Sequence, residues 1–271
     1  MSTAYENVSC FIFDLDGCIY AGDDLYDGAK ECIALLQLKN KRVLFLTNNS
    51  ADSAAYISEK LNTMGIPSVP ADIITALDLV GFYLYNRYGF IRAAVVGTAA
   101  LEESLAKCGH QVVALGTQAD CDFVVVGLDS QFNYEKIFQS VQHLQRGAKL
   151  IAANMDFNRP GQNFKVFPET GSLYYAIKKA ANIQKIEYAG KPNPFAFQYI
   201  IDTFNLLPIQ CMMIGDNPYT DIVGAQEVGF KTVWLSHHQM YPVELIENPD
   251  VIMKDISVLY DQLNQFYGER L

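Results

Sequence analysis

F-I-F-D-L-D-G-C-I-Y runs from Phe11 to Tyr20, and how it is read decides the fold. An apolar run stops at two aspartates two positions apart, Asp14 and Asp16, with Gly17 directly after them. A near-continuous apolar segment marks a strand covered on both faces, as in a parallel sheet. In extended chain, residues i and i+2 share a side, so Asp14 and Asp16 can approach each other. Like charges at that range raise a pKa or recruit a cation. The plainer reading is a turn, because aspartates start turns and cap helices.

Outward from this stretch, strands and helices alternate. Ser9 to Phe13 reads as a strand, Asp27 to Leu38 as an amphipathic helix and Arg42 to Leu46 as the next strand, ending in T-N-N-S. Ala51 to Met64 reads as a helix stopped by Gly65. A βαβα opening implies an α/β fold with a mostly parallel sheet. Ile73 to Tyr88 is expected to be a helix rich in aromatics. A second series follows, with strands at Ala93–Val96, Gln111–Leu115, Phe123–Val126 and Lys149–Ala153. Helices at Ala99–Lys107 and Asn133–Gln145 lie among them, and another spans about Thr170 to Ala181. A third series opens at Gly190, with helices at Pro194–Phe204, Ile222–Val228 and Ile256–Phe266. Its strands are Cys211–Ile214, Lys231–Leu235 and Val251–Met253. The expected organisation is a core of residues 1–78 and 186–271, with residues 79–185 as an inserted domain.

Bulk composition narrows the function classes. The 271 residues suffice for one or two domains with a sizeable core, and half of them are apolar. Twenty basic against thirty acidic residues give a net charge of -10, with no Lys/Arg stripe for phosphate-backbone contacts. A nucleic-acid partner is not expected, nor is an anionic lipid surface. No long uncharged apolar stretch marks a membrane span, and the N-terminus does not read as a signal peptide. The six scattered cysteines form no CxxC pair and read as reduced thiols, so a cytoplasmic location is expected. His237-His238 could bind a metal, but a loop pair of this kind is usually solvated.

Ligands of open α/β sheets gather at the carboxyl ends of strands. Polar groups crowd several such ends here. Asp14 and Asp16 follow one strand, Thr47, Asn48 and Asn49 another, and Asp216, Asn217 and Asp221 a third, while Lys191 stands in A-G-K-P-N-P. A carboxylate cluster after apolar strands suits a hard divalent ion with oxygen ligands, Mg²⁺ above all. Lys191 can screen those carboxylates, meet an anion, or be an ordinary surface lysine. T-N-N-S can cap a helix and offer an anion nest at once. Together the parts form a phosphate-handling site with a nucleophile candidate. No GxxxxGK[ST], GxGxxG after the first strand, G-x-S-x-G or H-E-x-x-H accompanies them.

The set F-D-L-D-G (13–17), L-T-N-N-S (46–50), G-K-P (190–192) and G-D-N-P-Y-T-D (215–221) resembles the haloacid dehalogenase-like hydrolase superfamily. The L-T-N-N-S and G-K-P-N-P forms, with a large insert between them, are similar to its NagD-like and p-nitrophenyl phosphatase branch. The resemblance implies a Rossmann-like parallel-sheet core and an α/β cap that closes over the site and selects the substrate. It implies Asp14 as nucleophile and Asp16 as acid/base. It implies Mg²⁺ on the Asp14 carboxylate, the Asp16 carbonyl and Asp216, with Asp221 and Asn217 acting through water or neighbours. Thr47, Asn48 and Lys191 would hold the phosphoryl group. In the insert, Asp129, Asn154, Asp156 and Glu169 become candidate specificity residues; loop capping is an equal reading of each. Relatives usually carry threonine where Ala153 stands and glycine where Glu169 stands.

The expected function is Mg²⁺-dependent hydrolysis of small phosphate monoesters, such as sugar phosphates or nucleotides, through an aspartyl-phosphate. A phosphomutase would share these core residues but typically carries a helical cap. Dehalogenases lack the second aspartate. A non-enzymatic ligand-binding protein on the same fold would lack a motif member, and none is missing. Tyr83, Tyr85, Tyr88 and Phe90 mark either an interface of a homo-oligomer, such as a dimer, or a core face.

Overall fold

The structure is a computed structural model and describes residues 4–160, 165–245 and 247–268. The chain opens with β1 (Cys10–Phe13), β2 (Tyr20–Ala21), β3 (Asp24–Leu25), α1 (Ala29–Leu38), β4 (Arg42–Thr47) and α2 (Ala54–Thr63). Next come β5 (Ile73–Thr75), α3 (Ala76–Tyr88), β6 (Arg92–Val96), α4 (Ala99–Lys107), β7 (Gln111–Val113) and β8 (Phe123–Val126). They lead to α5 (Tyr134–Gln145), β9 (Lys149–Ala152), β10 (Asn158–Pro160), β11 (Val166–Pro168) and α6 (Thr170–Ala180). The last part holds α7 (Pro194–Phe204), β12 (Cys211–Gly215), α8 (Val223–Glu227), β13 (Lys231–Leu235), β14 (Val251–Met253) and α9 (Ile256–Gly268).

The chain divides into two compact units. The first comprises Met1–Thr47, Ile57–Ile74 and Lys191–Leu271, and the second Asn48–Tyr56 and Thr75–Gly190. The larger sheet has the order β14-β13-β12-β1-β4-β5. Its β1 pairs in parallel with both β4 and β12. From β1 the chain steps to β4 on one side and later fills β12, β13 and β14 on the other. The strand order thus reverses at β1, and ligand sites of open α/β sheets form at the carboxyl ends beside such a reversal. All four β1 residues are buried, as a doubly covered strand requires. Ala29, Cys32, Ile33 and Leu36 make the buried stripe of α1 at helical spacing.

The second unit has its own parallel sheet, ordered β7-β6-β8-β9. Its valines Val96, Val124 and Val126 pack with Leu150, Leu173, Tyr174 and Ile177 into one core. Asn154 is fully buried, and its amide nitrogen donates to the Asn48 carbonyl at 2.6 Å. It also reaches Ser50 Oγ and Thr170 Oγ1, each at 3.2 Å. Those bonds tie residues 48–50 to this unit, although they continue directly from β4.

One segment departs from expectation. Ile73–Thr75 is a strand, and the helix begins only at Ala76. Two isoleucines and a threonine favour extended backbone. Thr75 then caps α3, accepting from the Asp78 N–H at 3.0 Å, which fixes where the helix starts. The expected strand at 111–115 is also shorter, covering Gln111–Val113.

Candidate active site

Three strand ends build the site. The Asp14 N–H donates to the Ile214 carbonyl at 2.9 Å, which carries the β1–β12 ladder one residue past β1. Asp14 therefore lies level with Gly215, one residue before Asp216. On the other side Phe13 pairs with Phe45, so Leu46 lies beside Asp14 and buried Thr47 one residue beyond.

The chain leaves β1 in a tight turn, with the Gly17 N–H donating to the Tyr20 carbonyl at 2.9 Å. Gly17 has φ +89°, and a Cβ there would fall 2.3 Å from Asp216 Oδ2. Glycine is required on both counts, and its absent side chain lets the Asp216 carboxylate come up against this turn. At Gly215 a Cβ would fall 2.2 Å from Asp221 Oδ2. The Asp221 carboxylate folds back beneath its own loop, where it accepts from the Asn217 N–H at 3.1 Å.

Lys191 closes the arrangement. It is 2% exposed, and its Nζ lies 2.7 Å from Asp14 Oδ1 and 2.6 Å from Asp221 Oδ1. Burial disfavours the ammonium, but the Asp14 and Asp221 carboxylates outweigh it and raise the Lys191 pKa, so it is a cation. Asp14, Asp216 and Asp221 can each present an oxygen within 4.8 Å of one another. Burial pushes the Asp216 carboxyl well up, with the charges of Asp14 and Asp221 adding to it. Burial likewise lifts Asp221 to about 7, against the pull of Lys191. When all are ionised, the three carboxylates outnumber the one ammonium and leave a net negative charge. That excess, on oxygen donors alone, suits a hard divalent cation such as Mg²⁺. Asp16 is exposed, and its backbone forms an isolated bridge to Tyr20.

A haloacid dehalogenase-like hydrolase model matches residues 11–111, and a HAD-hydrolase-like model matches residues 188–259. A glycerol-3-phosphate phosphatase of Homo sapiens is 30% identical over 84% of this chain and 78% of its own length. The chain belongs to the haloacid dehalogenase-like hydrolases. An acid sugar phosphatase of Staphylococcus epidermidis is 27% identical to this hydrolase, over 96% of the chain and the whole of the relative. The solved 4-nitrophenylphosphatase of Thermotoga maritima superimposes with a TM-score of 0.85 at 29% identity, covering 96% of this chain and 99% of that one. This hydrolase is a phosphatase of the NagD-like and p-nitrophenyl phosphatase branch.

The hydrolase's remaining candidate residues lie in the second unit, and each has partners there. Asp129 accepts from Lys136 Nζ and from the Gln131 N–H, which closes its loop. Asn154 holds residues 48–50, as described, and accepts from the Asp156 N–H at 3.0 Å. Asp156 Oδ2 accepts from the Asn48 side-chain amide at 3.0 Å. Glu169 pairs with Arg159 at 2.8 Å. Among the aromatics, buried Tyr83 and the Tyr88 hydroxyl both bind Glu187, whereas Tyr85 and Phe90 are exposed and pack on each other.

Two contacts beside the site were not legible in the sequence. His237 Nε2 meets the Gly17 carbonyl at 2.8 Å, so His237 is not simply solvated, while His238 is exposed. Trp234 Nε1 donates to the Asp216 carbonyl at 2.8 Å. Both partners are backbone oxygens on other loops, and no local pattern of side chains encodes such a bond.

Proposed function

We propose that this phosphatase hydrolyses small phosphate monoesters, sugar phosphates foremost, through an aspartyl-phosphate on Asp14. The observation that carries the reading is the buried Lys191 bonded to Asp14 and Asp221, with the Asp216 carboxylate within 4.8 Å of both. Bonding to Lys191 Nζ directs Asp14 Oδ1, and Oδ2 is the oxygen for attack on phosphorus. As the new O–P bond forms, the ester P–O bond breaks, and Asp16 gives its proton to the departing alkoxide. Asp16 then takes a proton from water, whose oxygen attacks phosphorus and releases Asp14. The exposure of Asp16 supports this role, because an acid/base group must meet both alcohol and water.

The Asp14 and Asp216 carboxylates and the Asp16 carbonyl would hold Mg²⁺, with Asp221 and Asn217 orienting them. Bound there, the ion would offset the charge of the phosphoryl oxygens. Thr47 and the Asn48 N–H would donate to those oxygens, and Lys191 would balance their charge, since positioning and electrostatics dominate phosphoryl transfer. The inserted domain, residues 79–185 in the sequence reading, would act as the cap, with Asp129, Asn154, Asp156 and Glu169 shaping specificity directly or through their loops. The names of the sugar phosphate and glycerol phosphate relatives support the substrate class. Six free thiols, four of them buried, support a reducing cytoplasmic setting.

A panel of phosphorylated sugars, polyols, nucleotides and 4-nitrophenyl phosphate, assayed in Mg²⁺ and in EDTA, tests the reading. Turnover that requires Mg²⁺ and favours the sugar and polyol esters is expected. Activity equal in EDTA would remove the metal role, and no turnover across the panel would favour a ligand-binding protein.

A further inference from the structure

The end of β13 makes two contacts that the four motifs leave unassigned. Trp234 holds the Asp216 carbonyl, and His237 holds the Gly17 carbonyl, each at 2.8 Å. A carbonyl oxygen only accepts, so the His237 Nε2 carries the proton. Both carbonyls belong to loops that carry candidate metal ligands. Gly17 directly follows Asp16, and its backbone lies so close to the Asp216 carboxylate that a Cβ would stand 2.3 Å away. The two loops therefore meet at a contact with no slack, and a support for each comes from one short segment.

That segment is itself anchored. The Ser236 and His237 N–H groups donate to the Met253 and Lys254 carbonyls, both at 2.8 Å. The imidazole stacks on Tyr26 with ring centres 5.2 Å apart. Tyr26 in turn donates its N–H to the Ile19 carbonyl at 3.0 Å, on the far side of the Gly17 turn. His237 and His238 have φ of +45° and +68°, a left-handed backbone that residues with a Cβ adopt at a cost.

We propose that Trp234 and His237 are positioning residues that hold the Asp16–Gly17 turn and the Asp216 loop at the spacing a divalent cation requires. The proposal rests on the metal-dependent reading above. Neither side chain is a ligand; each acts through a backbone carbonyl, as outer partners of metal ligands do.

The test is Mg²⁺ binding to the full chain by isothermal titration calorimetry. Trp234, the chain's single tryptophan, gives an independent fluorescence readout in the wild type and the His237 variants. His237→Phe keeps a ring against Tyr26 and removes the donor, and the Kd for Mg²⁺ is expected to rise about tenfold. His237→Gln restores an N–H donor, and its Kd is expected to return to within about threefold of wild type. Trp234→Phe, read by calorimetry, is expected to weaken binding likewise, and it carries the test if His237→Phe does not fold. Unaltered Kd in the phenylalanine variants overturns the clamp and leaves the metal site standing. A glutamine variant as weak as the phenylalanine one overturns the hydrogen bond as its basis. A wild-type chain with no saturable Mg²⁺ binding overturns the metal-dependent reading, and the clamp with it.

Discussion

Lys191 is a buried cation held by two carboxylates, and a third carboxylate stands close by. Removing charges from water is costly unless they are paired and hydrogen-bonded, and here the anions outnumber the cation. Burial is the main cause of the upward push on Asp216 and Asp221, and the neighbouring carboxylates add to it. The excess of anions is the electrostatic demand a divalent ion would meet. Asp14→Asn tests the central residue. The amide oxygen can still accept from Lys191, so the fold is expected to persist, with an unchanged far-UV circular dichroism spectrum and a similar Tm. Loss of the nucleophile is expected to lower Mg²⁺-dependent turnover by at least about 10³-fold. Substantial turnover in a clean preparation of this variant would move the nucleophile elsewhere. At this scale Asp14 and Asp216 were legible because chemical side chains at the ends of apolar strands stand out, whereas Lys191 stood out through its G-K-P context. His237 was not legible, because its role is a bond to a backbone oxygen 220 residues away.

Among the elements, α3 shows how a sequence pattern can point correctly to a helix and leave its purpose open. Its tyrosines read equally as an interface or a core face. In the structure Tyr83 and Tyr88 donate to Glu187 Oε1 at 3.1 and 2.6 Å, and Lys185 approaches Oε2 at 3.4 Å. Arg87 also faces this carboxylate, at 3.7 Å. Glu187 further accepts the Ala152 N–H on its backbone carbonyl at 3.0 Å, so it joins α3 to the end of β9. Burial alone would raise its pKa, but the Tyr88 hydroxyl, Lys185 and Tyr83 outweigh burial and hold it below the ordinary value of 4.5. A depressed carboxylate pKa contributes stability above the unfolded value and loses it as pH falls through the folded value. Glu187→Gln is therefore expected to cost about 2 kcal/mol at neutral pH, the scale of hydrogen bonds to a buried charge. The gap to wild type should close as pH drops below about 4.5, followed by urea unfolding across that range. A gap independent of pH would mean that the charge of Glu187 does not contribute.

For the molecule as a whole, the alternation of strands and helices was enough to expect a mostly parallel sheet, because doubly covered strands are apolar throughout, while the parallel pairing of the insert's own sheet emerges from the structure. What the alternation did not reveal is that residues 48–56 join the second unit, though they follow β4 without a break. Their attachment is made by residues distant in sequence: the Asn154 amide binds the Asn48 carbonyl, the Leu128 N–H donates to Ser50 Oγ, and the Thr98 hydroxyl donates to the Ala51 carbonyl. The proposed metal ligands Asp14, Asp16 and Asp216, together with Lys191 and Asp221, all belong to the first unit. An ion bound there stabilises only the states in which that unit is folded. At about 100 times its Kd, a ligand adds about 2.7 kcal/mol to the state that binds it, or about 100-fold slower exchange of amides that need full opening. If the units open separately, Mg²⁺ should slow hydrogen exchange of β1 and β12 by about that factor and leave β6 and β8 unchanged. Mass-spectrometric exchange on the full chain, in Mg²⁺ and in EDTA, distinguishes the cases. Equal slowing of both sheets would show that the two units open together, so that the metal's stabilisation spreads through the whole chain. No slowing in either sheet would place the cation outside the Asp14–Asp216 cluster.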